Sequence, residues 1–105
     1  MIVHVTDQDG EEHTLEGVSG WRLMEVIRDH GLPMKAECGG ALACATCHVY
    51  VDPGWVDILS PMQPEETDML DEAFDVRDNS RLSCQIILDD TLDDLVVTLA
   101  PGSEP

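Results

Sequence analysis

Four cysteines constrain this chain more than any other feature. Cys38, Cys44 and Cys47 crowd into one run, "ECGGALACATCH", and Cys84 stands far downstream, giving the spacing C-x5-C-x2-C-x36-C. The run must fold over something that the distant cysteine completes. The residues between its thiols are nearly all small: Gly39, Gly40, Ala41, Ala43, Ala45 and Thr46, with Leu42 the one larger side chain. Small side chains let backbone approach a ligand closely.

Which ligand depends first on the redox setting. The N-terminus, "MIVHVTDQDGEEH", has no basic start, apolar run or small-residue cleavage site, so neither a signal peptide nor a transit peptide is expected. A reducing cytoplasm is the expected compartment, where four cysteines are ligands or reactive thiols rather than two disulfides. A structural zinc site made of four cysteines usually presents two short-spaced pairs, and here only Cys44 and Cys47 form one. A thioredoxin-like C-x-x-C motif belongs at the start of a helix, whereas the residues after Cys47 read as a strand. A 2Fe-2S centre explains more. It takes four thiolates, two per iron, and its bridging sulfides accept hydrogen bonds from nearby backbone.

Composition narrows the partners. Twenty-two acidic residues against five basic ones give a formal charge of −17, which argues against nucleic acid or an anionic membrane and for a partner with a basic face. No apolar stretch approaches the roughly 18 residues needed to cross a bilayer. At 105 residues, 43% of them hydrophobic, the chain suits one ordered domain. We assign residues 1–100 to that domain and 101–105, "PGSEP", to a flexible tail.

The pattern along the chain predicts an α+β domain. Residues 2–6 read as a strand, 7–10 as a turn and 11–18 as a weaker returning strand. A helical stripe runs from about Trp21 to His30, stopped by Gly31 and Pro33. Further strands are predicted over 48–51, 82–88 and 95–99. A second helix is predicted from Pro64, suited to the first helical position, to about Phe74, with Glu65 and Glu66 at the positive end of its dipole.

"CGGALACATCHVYV" together with "SRLSCQI" resembles the adrenodoxin/putidaredoxin class of 2Fe-2S ferredoxins, bacterial redox partners of cytochromes P-450 among them. The similarity extends over "LMEVIRDHGLP", "EETDMLDEAF" and "LDDLVVTL" and is most specific at the cysteines. It implies a β-grasp fold, a mixed sheet of about five short strands with one main helix and a second, acidic helix. It also implies that Cys38, Cys44, Cys47 and Cys84 hold a 2Fe-2S cluster, with Gly39 and Gly40 supporting it. His48, next to a ligand, is expected to hydrogen-bond towards a neighbouring loop; with four cysteines present it is not needed as a Rieske-type ligand. The chain departs from the class in its tail, which lacks an aromatic terminus, and at Asp94, where glycine is common.

Four thiolates saturate both irons, so one-electron transfer is expected rather than hydrolysis. A negative centre in a negative protein disfavours an added electron, and a low reduction potential follows, partly offset by hydrogen bonds to sulfur. The second signal is the acidic helix. At about 100° per residue, Met69, Leu70, Ala73 and Phe74 share one side, and Asp68, Asp71, Glu72 and Asp75 the other. In the resembled ferredoxins this helix meets reductase and acceptor, which implies docking roles for Asp68 and Asp71, with Glu72 and Glu65 as additions. The resulting expectation is an electron carrier, not an enzyme. It would run as a monomer between an FAD-containing, NAD(P)H-dependent ferredoxin reductase and a cytochrome P-450 or another acceptor with a basic face. Electron supply to iron–sulfur cluster assembly is the alternative, and a zinc-stabilised interaction module a third reading.

Overall fold

The N-terminal strand β1 (Ile2–Thr6) alternates half-buried and buried positions, and pairs antiparallel with β2 (Glu12–Glu16) in the register Ile2↔Glu16 to Thr6↔Glu12. Asp7 closes this hairpin. Its carboxylate accepts from the backbone N–H of Asp9 at 2.9 Å and of Glu11 at 3.0 Å, and meets His13 Nε2 at 2.9 Å. Those bonds, the one to His13 foremost, hold the Asp7 carboxyl below its ordinary value. Gly10, at φ 86°, supplies the left-handed residue the turn needs.

This computed structural model describes residues 1–32, 48–59, 62–71, 73 and 75–100. Its sheet has five strands in the order β2-β1-β5-β3-β4, where β3 is His48–Val51, β4 is Ser80–Leu82 and β5 is Leu95–Leu99. β1 and β5 run parallel, and the other three pairings are antiparallel. The sheet is therefore mixed, as the family resemblance implies. β3 is buried at all four positions, as a central strand covered on both faces must be.

Helix α1 (Leu23–Asp29) buries Leu23, Met24, Val26 and Ile27 against the sheet. It opens where Glu25 Oε1 accepts from the Arg22 N–H at 3.1 Å. It ends where Gly31, at φ 77°, takes the left-handed turn expected of it.

Two elements differ from the sequence pattern. The strand expected over 82–88 is only the end of β4, followed by a 3-10 turn over Ser83–Gln85 and a single bridge between Ile87 and Arg22. The backbone there serves the entry to α1 instead of a ladder: Ile86 O accepts from the Leu23 N–H, and Leu88 O from the Gly20 N–H, each at 2.8 Å. Leu82, Ser83, Cys84, Ile86 and Leu88 are nonetheless all buried. Helix α2 (Pro64–Leu70) starts at Pro64 as expected but stops well before residue 74. Beyond it the Ala73 N–H donates to Leu70 O at 2.9 Å, a tighter three-residue turn that ends the α-helical ladder, and Asp75 follows at φ 54°.

Candidate metal centre and docking helix

Cys38, Cys44 and Cys47, with Gly39 and Gly40, lie outside the described residues, so the centre is built from its other side. β3 begins at His48, one peptide bond after Cys47, and His48 pairs with Leu82 in the antiparallel β3–β4 register. Leu82 is two residues before Cys84. Strand pairing thus brings the start of β3 to the end of the sheet that leads to Cys84. Cys84 is buried in the 3-10 turn, and the side-chain amide of Gln85 donates to its Sγ at 3.4 Å. A buried sulfur with an amide donor fits a thiolate ligand, whose charge needs hydrogen bonds when removed from water.

His48 is buried as well. Its Nε2 and Ser80 Oγ are hydrogen-bonded at 2.7 Å, and its ring stands edge-on to Tyr50, with centroids 5.0 Å apart. Ser80 Oγ also accepts from the Arg77 N–H at 2.8 Å. Tyr50 donates its hydroxyl to Asp75 O at 2.6 Å and to Asp75 Oδ2 at 3.2 Å, while the Arg77 guanidinium lies over its ring at 4.4 Å. His48 and Tyr50 therefore tie the start of β3 to the segment that follows α2. The same bonds hold Asp75 in the turn, so it does not extend the acidic face of the helix as the sequence pattern suggested.

Glu65, Asp68 and Asp71 are exposed along α2 and its C-terminal cap, while Leu70 is buried. Glu72 lies outside the described residues. Glu66 does something else. Its carboxylate is buried, accepting from Arg81 Nε at 2.6 Å, from the second Arg81 nitrogen at 3.0 Å and from the Leu82 N–H at 3.0 Å. Sequence reasoning assigned Glu66 only to the helix dipole. The signal that could have found it is its spacing, one turn before Leu70 on the face that must be core.

The family described as "2Fe-2S iron-sulfur cluster binding domain" matches residues 6–89. This chain is an adrenodoxin/putidaredoxin-type 2Fe-2S ferredoxin. It is 50% identical over 91 residues to ferredoxin CarAc of a Sphingomonas species, covering 86% of this chain and 84% of that protein. It is 40% identical over 92 residues to the mitochondrial adrenodoxin homolog of Saccharomyces cerevisiae, covering 88% of this chain. The matched region spans only 54% of the length of that yeast protein. Among solved structures, reduced putidaredoxin from Pseudomonas putida superposes with a TM-score of 0.94 at 33% identity, covering 98% of this chain and 99% of the other. Putidaredoxin has also been solved in a covalent complex with putidaredoxin reductase, and matches there with a TM-score of 0.88 at 35% identity, covering 94% of this chain and 97% of that one.

The cofactor of this ferredoxin is a 2Fe-2S cluster, which when bound accepts and releases one electron at a time. The ferredoxin is thus an electron carrier rather than an enzyme. Its residues supply positioning. Glu66 straps α2 to β4 just before Cys84, and the bonds of His48 and Tyr50 tie β3 to Ser80 and Asp75. Among the described residues, no helix is long and apolar enough to cross a membrane.

Proposed function

We propose that Cys38, Cys44, Cys47 and Cys84 are the four cluster ligands, with His48, Gly39 and Gly40 supporting them. In this reading the ferredoxin is a cytoplasmic monomer that takes electrons from an FAD-containing, NAD(P)H-dependent reductase and delivers them to a cytochrome P-450. Glu65, Asp68, Asp71 and Glu72 form the docking surface for both. One observation carries the docking assignment: α2 exposes Glu65, Asp68 and Asp71 while its inward Glu66 is fastened to Arg81 and Leu82, next to Cys84. A partner held by the outer carboxylates sits on a rigid path to a ligand residue. The charge of −17 favours basic partners, and steering of this kind raises association rates by roughly 10 to 1,000-fold.

The test is reconstitution with a putidaredoxin-type reductase and either a P-450 or a cysteine desulfurase–scaffold assembly system. Turnover of the P-450 without support of assembly is the expected result. Support of assembly alone would transfer the function to cluster biogenesis.

A further inference from the structure

We propose that Gln85 is a positioning residue that sets the reduction potential through Cys84, a role that rests on Cys84 being a cluster ligand. The Gln85 side-chain nitrogen lies 3.4 Å from Cys84 Sγ and 3.3 Å from Cys84 O. Both partners are acceptors, so the amide must present its nitrogen and not its oxygen here. An amide nitrogen carries two hydrogens, enough to serve both. The carbonyl bond helps to fix the amide within reach of the sulfur.

The surroundings strengthen that contact. Gln85 is half-buried and lines a small pocket with Arg81, Asp89 and Leu92, while Cys84 itself is buried, so little water reaches the sulfur. A hydrogen bond in such a setting is worth more than in solvent. Its effect has a definite sign. Adding one electron, with no bond made or broken, increases negative charge on the thiolates, and a donor at Cys84 Sγ stabilises that reduced state. Gln85 therefore raises the potential and opposes the effect of the acidic chain. Arg81, three residues before Cys84, pairs its charge with Glu66.

The experiment is a redox titration of the holoprotein with Gln85→Met, close in shape but without a donor, and Gln85→Glu, which replaces the donor with an acceptor. Gln85→Met should shift the reduction equilibrium about fivefold against the reduced form, about 40 mV at 59 mV per tenfold for one electron. Gln85→Glu should shift it further in the same direction. The Fe–S(Cys) stretching bands in resonance Raman should move up in Gln85→Met, a change that mere loosening of the fold does not produce. Unchanged potentials and bands in both variants overturn the proposal. Cys84→Ser, measured alongside, separates the two ideas. A wild-type spectrum in Cys84→Ser removes the ligand assignment, whereas an altered one with silent Gln85 variants removes only the role of Gln85.

Discussion

Glu66 and Arg81 form an ion pair at 2.6 Å with their side chains only 2% and 11% exposed, and the same carboxylate accepts the N–H of Leu82. The pair joins α2 to the strand that leads to Cys84. Burying two charges is expensive, and such a pair adds little net stability over apolar residues of the same shape. Losing one partner is a different matter, because the other is left charged and buried.

Glu66→Ala is therefore expected to cost about 3 to 5 kcal/mol, a Tm fall of about 12 °C or more for a domain of this size. Replacing both residues, as Glu66→Leu with Arg81→Met, should cost much less than the sum of the two single changes. Thermal unfolding followed by circular dichroism checks this. Additive losses would show that the pair is not coupled.

Asp68 and Asp71 are exposed and close no ion pair with a described residue. Converting both to Asn should leave the visible spectrum and Tm unchanged while slowing reduction by the reductase about tenfold at low salt. The salt dependence of the rate should flatten as well, since exposed charges are screened over about 10 Å at 0.1 M. Stopped-flow kinetics across ionic strength read both effects, and identical salt profiles would dismiss the docking face.

Asp94 stands where glycine is common in this class, and the backbone explains what the aspartate must tolerate. Its φ is 71°, its N–H donates to Ile2 O at 2.7 Å, and its carboxylate reaches His4 Nε2 at 3.1 Å. Asp94→Gly relieves the left-handed strain but loses the exposed histidine contact, so it should change stability by no more than about 0.5 kcal/mol. Asp94→Val, β-branched at positive φ, should cost about 1 to 2 kcal/mol or more. Urea unfolding of both variants gives the comparison, and equal stabilities would argue against strain at this position.

Tyr50 is the one tyrosine of the chain. Burial raises its pKa above the ordinary 10.0, with Asp75 adding to the rise and the Arg77 cation opposing it. A folded-state value above the unfolded one means the stabilisation is fully present below about pH 10 and is lost as pH rises through the folded value. Difference absorbance of the phenolate should show a midpoint above 10.0 in the folded protein. Tyr50→Phe should lose less stability than the parent between pH 9 and 11, taken as about the usual tyrosine range. A midpoint at or below 10.0 would contradict the burial argument.

Much of this was legible in the sequence, for identifiable reasons. The cysteine spacing and the small residues between the thiols reflect the needs of a sulfide-bridged centre, whatever the rest of the fold. The N-terminal hairpin announced itself through β-branched strands and an aspartate–glycine turn, and Gly31 marked the end of α1. What was hidden depended on partners far along the chain. Glu66 looks like any first-turn glutamate until Arg81 is folded against it. Residues 82–88 are apolar enough to read as a strand, yet the carbonyls of Ile86 and Leu88 bond to the entry of α1. The turn after α2 is held by Tyr50, which bonds Asp75 from another strand. Local periodicity carries none of these contacts.

The central claim, an electron carrier whose cluster is held by four cysteines, is tested most directly by iron and acid-labile sulfide analysis. Wild type should be set beside four single Cys→Ser variants, at Cys38, Cys44, Cys47 and Cys84. Wild type should hold about two irons and two sulfides and bleach on taking up one electron from dithionite. Every variant should lose the cluster or show an altered spectrum. A colourless wild-type protein containing zinc, or any one variant with an unchanged spectrum and full iron content, would contradict the account.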